Sequence, residues 1–303
     1  MKKYTQVSAN PGVTMDPMTR IEQALDAAVV SAEGRGCPPG LARAMRYAVF
    51  PGGARVRPRL CLAVAWACGD TDPASTDAAA SAIELLHCAS LVHDDLPCFD
   101  DSPTRRGRPS VHSAFGERLA VLAGDALIVL AFETLAKRIV AAPGPTSQVI
   151  ATVAQSVGAP RGICAGQAWE CETDVVLTDY QREKTGSLFV AATVAGAQSV
   201  GAPTEAWRVV GERLGEAYQV ADDLGDVTGV RQEFGKPIGR DDNLGRPNAA
   251  LELGVPGAVQ RLKVLVTSAI DAIPSCPGAP VLRELISAES RRILPEELSR
   301  LAA

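Results

Sequence analysis

Leu91-Val92-His93-Asp94-Asp95-Leu96-Pro97-Cys98-Phe99-Asp100-Asp101 is the stretch on which the reading of this chain turns. An apolar run ends in two adjacent carboxylates, and a second pair follows five residues later. The preceding residues, from Asp72-Pro73 through Ile83-Glu84-Leu85-Leu86-His87, read as one helix running into Asp94-Asp95. Helix C-termini carry partial negative charge and prefer cations. Two aspartates there repel both that end and each other, unless a cation completes them. A solvated acidic loop is the plain alternative, but the flanks Leu91-Val92 and Leu96-Pro97 are apolar. His87 lies two turns before Asp94 on the same face, roughly 10 Å away. It is either a satisfied core histidine or part of a ligand site.

Working outward, a basic knot follows at Arg105-Arg106-Gly107-Arg108, and a second acidic cluster, Asp222-Asp223-Leu224-Gly225-Asp226, ends another apolar run. Asp222 and Asp226 stand one helical turn apart on one face, where like charges repel. Magnesium takes oxygen ligands, keeps several waters, and bridges one or two carboxylates to a phosphate. Two separate acidic clusters can supply carboxylates from opposite walls of a cavity. Nearby cations, Arg105, Arg106, Lys184, Lys236 and Arg246, can contact phosphate oxygens. Arg55, Arg57 and Arg59, beside the Gly52-Gly53 turn, either receive a phosphate or form a solvated basic helix start.

The 303 residues suffice for a large core. Hydrophobic residues are 47% and charged residues 21%, which excludes a largely disordered chain. Aromatics are only 4% and alanine is abundant, so composition leans helical. The net charge of −5 gives no support to nucleic-acid binding. Eight cysteines lack any Cys-x-x-Cys pair. They read as reduced, mostly buried thiols of a cytoplasmic protein. No apolar run reaches the about 20 residues of a membrane span, and the polar N-terminus lacks a signal-peptide core.

Helices are expected over residues 18–33, 41–50, 54–68, 73–95, 117–140, 147–172 and 187–200. Thr178-Asp179-Tyr180-Gln181 has capping-box spacing for the helix carrying Lys184-Thr185. Pro203 opens a helix through Tyr218-Gln219 to the second cluster, and three helices follow residue 249, with breaks at Pro256 and at Pro274, Pro277 and Pro280. No alternating strand pattern appears. The expectation is an all-α, single-domain helical bundle around a central cavity, spanning 19–303, with 1–18 a flexible extension.

These motifs together resemble the trans-polyprenyl diphosphate synthase family, over nearly the whole chain. Asp94-Asp95-x-x-x-x-Asp100 is similar to the family's first aspartate-rich motif, lengthened by Pro97-Cys98. Arg105-Arg106-Gly107, Lys184-Thr185-Gly186, Tyr218-Gln219, Asp222-Asp223-x-x-Asp226 and Gly235-Lys236-Pro237 also match. Phe50-Pro51-Gly52-Gly53-Ala54-Arg55, His87-Cys88-Ala89-Ser90-Leu91-Val92-His93, Ala165-Gly166-Gln167-Ala168-Trp169-Glu170 and Gly245-Arg246-Pro247-Asn248 resemble carotenoid-pathway geranylgeranyl diphosphate synthases of bacteria.

The resemblance implies the isoprenoid synthase fold, a homodimer, and head-to-tail condensation of an allylic diphosphate with isopentenyl diphosphate. It implies that Asp94, Asp95, Asp100, Asp222, Asp223 and Asp226 bind Mg2+, three ions in all. Arg105, Lys184 and Lys236 would hold the allylic diphosphate with those ions, and Arg246 stands where many relatives have lysine. His87, Arg57 and Arg106 would bind isopentenyl diphosphate, with Thr185 and Gln219 lining the reacting centre. Most relatives have lysine where this chain has Ala54, and Arg55 or Arg57 is the expected compensation. Ala89 and Ser90, small residues five and four positions before Asp94, let a product tail pass, pointing to C20 with C15 as the alternative. A terpene cyclase, a head-to-head coupling enzyme and a non-catalytic partner subunit are the rivals on this fold. Outside it stands a helical scaffold without chemistry.

Overall fold

The computed structural model describes residues 16–141, 146–173, 180–228 and 248–293. Its helices are α1 (Pro17–Ala32), α2 (Pro39–Val49), α3 (Val56–Ala67), α4 (Pro73–Asp94), α5 (Val111–Phe115), α6 (Glu117–Ala141), α7 (Thr146–Val157), α8 (Ile163–Ala168), α9 (Ser187–Ser199), α10 (Glu205–Thr228), α11 (Ala249–Asp271) and α12 (Ala279–Ile293). Their starts follow local chemistry. Asp16 accepts from Thr19 N at 3.1 Å, Asp72 from Ser75 N at 3.4 Å, and Asn248 from Ala250 N at 2.8 Å. Pro17 and Pro73 occupy first turns, where no N–H is needed.

α4 is the axis of the bundle. It packs on α1, α3, α6 and α9, and most of its residues are buried, so its apolar pattern runs all round rather than along one stripe. α9 is likewise buried, between α3, α4, α7 and α10. The main core runs through these helices, and a second apolar cluster joins α10 to α11 around Leu224, Val259 and Leu262.

Most expected helices appear within a few residues of their expected ends, including a first helix that starts at Pro17 rather than at residue 18. The expected helix over 147–172 is a correction. It breaks at Gly158-Ala159-Pro160-Arg161-Gly162 into α7, α8 and a 3₁₀ turn, Trp169–Cys171, because Gly162 sits at φ 104° and Pro160 lacks an N–H. α11 is bent at Gly254 (φ 68°), two residues before the Pro256 break. A two-stranded ribbon, β1 (Thr104–Arg105) and β2 (Arg108–Pro109), was not foreseen. The capping box at Thr178-Asp179 lies outside the described residues. The cysteines are free, but Cys98, Cys164 and Cys171 are exposed, which corrects the view of mostly buried thiols. By length and composition α6 could cross a membrane, which corrects the expectation that no segment would; here it packs on α4 and α2.

Candidate active site

A cavity of about 230 Å³ opens at the C-terminal end of α4, bordered there by His87, Ser90, Leu91 and Asp94. The facing wall brings Lys184 and Thr185 from a π-helical turn (Arg182–Gly186) and Tyr218, Gln219 and Asp222 from α10. The two acidic clusters, far apart in sequence, therefore meet across one space.

The first cluster is built by its own loop. Asp100 N donates to Asp94 O at 2.9 Å and Ser102 N to Asp95 O at 3.1 Å, so the lengthened loop satisfies the last carbonyls of the helix. Pro97, Cys98 and Phe99 are exposed on its outer side, while Asp94, Asp95 and Asp100 are buried. Asp101 is exposed at φ 45°. The ribbon then turns at Arg106 (φ 53°) and Gly107 (φ 76°), the positive-φ pair of a tight hairpin. It delivers Arg105 to the repelling carboxylates. Arg105 Nε donates to both Asp95 oxygens, at 3.0 and 3.1 Å, and Nη2 reaches Asp94 Oδ2 at 3.4 Å. Burial opposes the Arg105 charge, but the Asp95 and Asp94 carboxylates outweigh it and hold its pKa above the ordinary value. Lys184 Nζ lies 3.4 Å from Asp94 Oδ1 and also pairs with Glu170.

On the opposite wall, Asp222 borders the cavity. Asp223 is turned elsewhere. Its Oδ1 accepts from Gln219 Nε2 and its Oδ2 from Ala249 N, each at 2.8 Å. It sits at the N-terminus of α11, where a carboxylate is favoured. In this arrangement it orients Gln219 and does not border the cavity. Asp226 is half-buried one turn beyond Asp222 and does not border the cavity. Thr185 Oγ1 donates to Gln219 Oε1 at 2.6 Å, so Thr185, Gln219 and Asp223 form one chain of hydrogen bonds.

A second lobe of the cavity is cationic. Arg57 is 9% exposed, and its guanidinium lies over the rings of Phe189 (4.7 Å) and Tyr218 (5.6 Å). Its Nη1 is 3.4 Å from His87 Nε2, and its Nε is buried with no hydrogen-bond partner. Burial lowers the Arg57 pKa. Burial and then the Arg57 and Arg106 charges hold His87 well below the ordinary imidazole value. Arg106 lies against Gly53, where an added Cβ would fall 2.8 Å from its Cζ. Glycine there is what lets the guanidinium in.

Arg55 is a correction. Its residue borders the cavity, but its side chain is fully buried. Nε donates to Glu22 Oε1 at 2.8 Å, Nη1 to Glu84 Oε1 at 2.7 Å and Nη2 to Val49 O at 2.9 Å. That guanidinium is committed to the fold and does not replace the cation missing at Ala54. Of the two small residues before Asp94, Ser90 borders the cavity and Ala89 lies in the core, 1% exposed. Lys236 and Arg246 fall outside the described residues. Sequence reasoning missed Glu170 and Glu289. The Gln167-to-Glu170 spacing, one helical turn, was a usable signal for the first; nothing local marks Glu289, which borders the cavity from α12 and pairs with Arg59 at 2.8 Å.

The donors on the two facing walls, Asp94 and Asp222, are carboxylate oxygens, the chemistry a hard divalent cation requires. Among the described residues no three acidic, histidine or cysteine groups converge as a ready-made cage.

Residues 38–266 match the polyprenyl synthetase family. A geranylgeranyl diphosphate synthase of Cereibacter sphaeroides is 51% identical, over 92% of this chain and 97% of its own length. A geranylgeranyl diphosphate synthase of Rhodobacter capsulatus is 50% identical, over 91% of this chain and 95% of its own. The crystal structure of a geranyltransferase from Helicobacter pylori, complexed with magnesium and isoprenyl diphosphate, superposes with a TM-score of 0.76 at 26% identity. That superposition covers 93% of this chain and 99% of that one.

Proposed function

The chain belongs to the polyprenyl synthetase family, and from that premise we propose that it is a magnesium-dependent prenyltransferase that makes geranylgeranyl diphosphate. It joins an allylic diphosphate head-to-tail to isopentenyl diphosphate. The observation that carries this reading is the pairing of two unlike lobes in one cavity. One lobe has facing carboxylates suited to a metal-bound diphosphate. The other holds Arg57 and Arg106, which form no ion pair among the described residues, and a buried Arg57 Nε with no acceptor. A buried Arg57 and a half-buried Arg106 without ion-pair partners among the described residues are costly unless an anion completes them. A single-substrate cyclase has no use for that second anion site.

The residues divide the work. Asp94, Asp95, Asp100, Asp222 and Asp226 would hold divalent metal, in our proposal three magnesium ions, with Asp223 orienting Gln219 beside them. Magnesium, when bound, neutralises charge developing on the diphosphate leaving group. Arg105 and Lys184, already at the first carboxylates, would contact that diphosphate, with Lys236 and Arg246 proposed from sequence to join them. Arg57, Arg106 and neutral His87 would seat the diphosphate of isopentenyl diphosphate, placing its double bond beside the allylic carbon. Thr185 and Gln219 line the space between the two lobes. Leu91, Leu188 and Ile163 also border it and limit water, which strengthens every charge interaction inside.

Product length follows from α4. One helical turn rises 5.4 Å, close to one extended isoprene unit. Ser90, one turn before Asp94, offers no bulk to stop a tail, which favours C20 over C15. A homodimer is proposed through α6, whose Val121, Leu122, Val129 and Val140 are exposed. A cytoplasmic location is proposed with it. The deciding experiment supplies labelled isopentenyl diphosphate, farnesyl diphosphate and Mg2+ to the purified protein and sizes the products. A labelled C20 diphosphate is expected; no label in any elongated product would overturn the reading.

A further inference from the structure

Glu170 stands behind the cavity wall, in the 3₁₀ turn after α8, and does not border the cavity itself. Its Oε1 accepts from Lys184 Nζ and, at 2.6 Å, from Tyr180 Oη; its Oε2 accepts from Gln167 Nε2 at 2.9 Å. Glu170 and Lys184 side chains are each 18% exposed, so the pair is shielded from solvent. The Lys184 ammonium therefore lies between two carboxylates: Glu170, in contact, and Asp94 Oδ1, at 3.4 Å. The Tyr180 ring faces the same ammonium, with 5.7 Å from Nζ to the ring centre. The backbone fixes this arrangement. A Cβ on Gly166 would fall 2.4 Å from Lys184 N, so α8 packs directly on the π-helical turn.

An ammonium shared by two carboxylates goes to the nearer when both remain, and wholly to the other when one is removed. Without the Glu170 charge, Asp94 is the next acceptor. A full Lys184–Asp94 pair would occupy with a protein cation the carboxylate that faces the cavity. We propose that Glu170 is a positioning residue which draws Lys184 away from Asp94. Lys184 then holds Asp94 Oδ1 only at 3.4 Å, a contact that a magnesium-bound diphosphate can displace, and Lys184 keeps a donor for the diphosphate oxygens. This deepens, and rests on, the diphosphate reading of the cavity.

The test is calorimetric titration of inorganic diphosphate, in MgCl2, into the wild-type chain, Glu170→Gln, Lys184→Ala and the double variant. Thermal unfolding runs alongside as a check on folding. Glu170→Gln is expected to weaken binding about tenfold, the low end of what is lost when a group that orients a binding side chain from behind is removed. In the Lys184→Ala background the same change is expected to alter affinity less than about twofold, because Glu170 acts through Lys184. Glu170→Asp, which keeps the charge on a shorter stem, is expected to fall between wild type and Glu170→Gln, and carries the test if Glu170→Gln does not fold. Wild-type affinity in Glu170→Gln, or in Glu170→Asp where only that variant folds, would overturn the proposal, as would equal losses in both backgrounds. A wild-type chain that binds no magnesium diphosphate would overturn the reading beneath it.

Discussion

His87 shows how one side chain registers the field of the site. Burial, with Arg57 and Arg106 beside it, keeps the folded-state imidazole neutral well below its ordinary pKa. The unfolded chain takes up that proton near pH 6.5. The folded state is thus unpenalised above about pH 6.5 and loses stability as the pH falls below it. Between pH 7 and pH 5 the wild-type melting temperature is expected to drop further than that of His87→Asn, the carboxylates being common to both. Equal drops in the two proteins would refute the assignment. The residue identities of this lobe were legible in the sequence, but their state was not. Nothing in the string of letters says that Arg57 stacks on Phe189 and Tyr218, or that Arg55, two residues earlier, is spent on Glu22 and Glu84.

At the scale of elements, α4 carries the motif and lines the cavity with one face only. That face includes Glu84, His87, Ser90, Leu91 and Asp94, while Ala89 points into the core. Ser90→Phe is therefore expected to shorten the product from C20 to C15 in a chain-length assay with the protein still folded. Ala89→Phe is expected instead to cost about 1–3 kcal/mol of stability by overpacking, read from urea unfolding. An unchanged C20 product from Ser90→Phe would place the floor elsewhere. Helical periodicity made α4 readable, because 3.6 residues per turn is a local property. The ribbon that delivers Arg105 was not readable, since two residues per strand leave no alternation to detect. Its only local sign is the Arg106-Gly107 pair at the turn.

For the whole molecule, Arg55 joins α1 through Glu22, α4 through Glu84 and the end of α2 through the Val49 carbonyl. Removing one partner of a buried ion pair leaves the others uncompensated, at a cost of about 3–5 kcal/mol. Arg55→Leu is expected to lower stability by that amount in urea unfolding, with part of it restored by adding Glu84→Leu. If Arg55→Leu unfolds at the wild-type midpoint, the triad is not structural. The same three-helix junction holds the Pro51-Gly52-Gly53 segment on which Arg106 rests, so this stability and the cationic lobe share a support.

The sequence by itself determined the helical class, the approximate ends of most helices and the two acidic clusters with the cations that follow them. These depend on period, capping and composition, each settled within a few neighbouring residues. Tertiary structure alone decided which charges face the cavity. Asp94 and Asp222 do, Asp223 turns to the start of α11, Arg55 is consumed by the fold, and Glu170 holds Lys184 from behind. A charge is committed by whatever lies within a few ångströms of it in space. For these residues the partners come from other helices and turns, up to 90 positions away between Lys184 and Asp94.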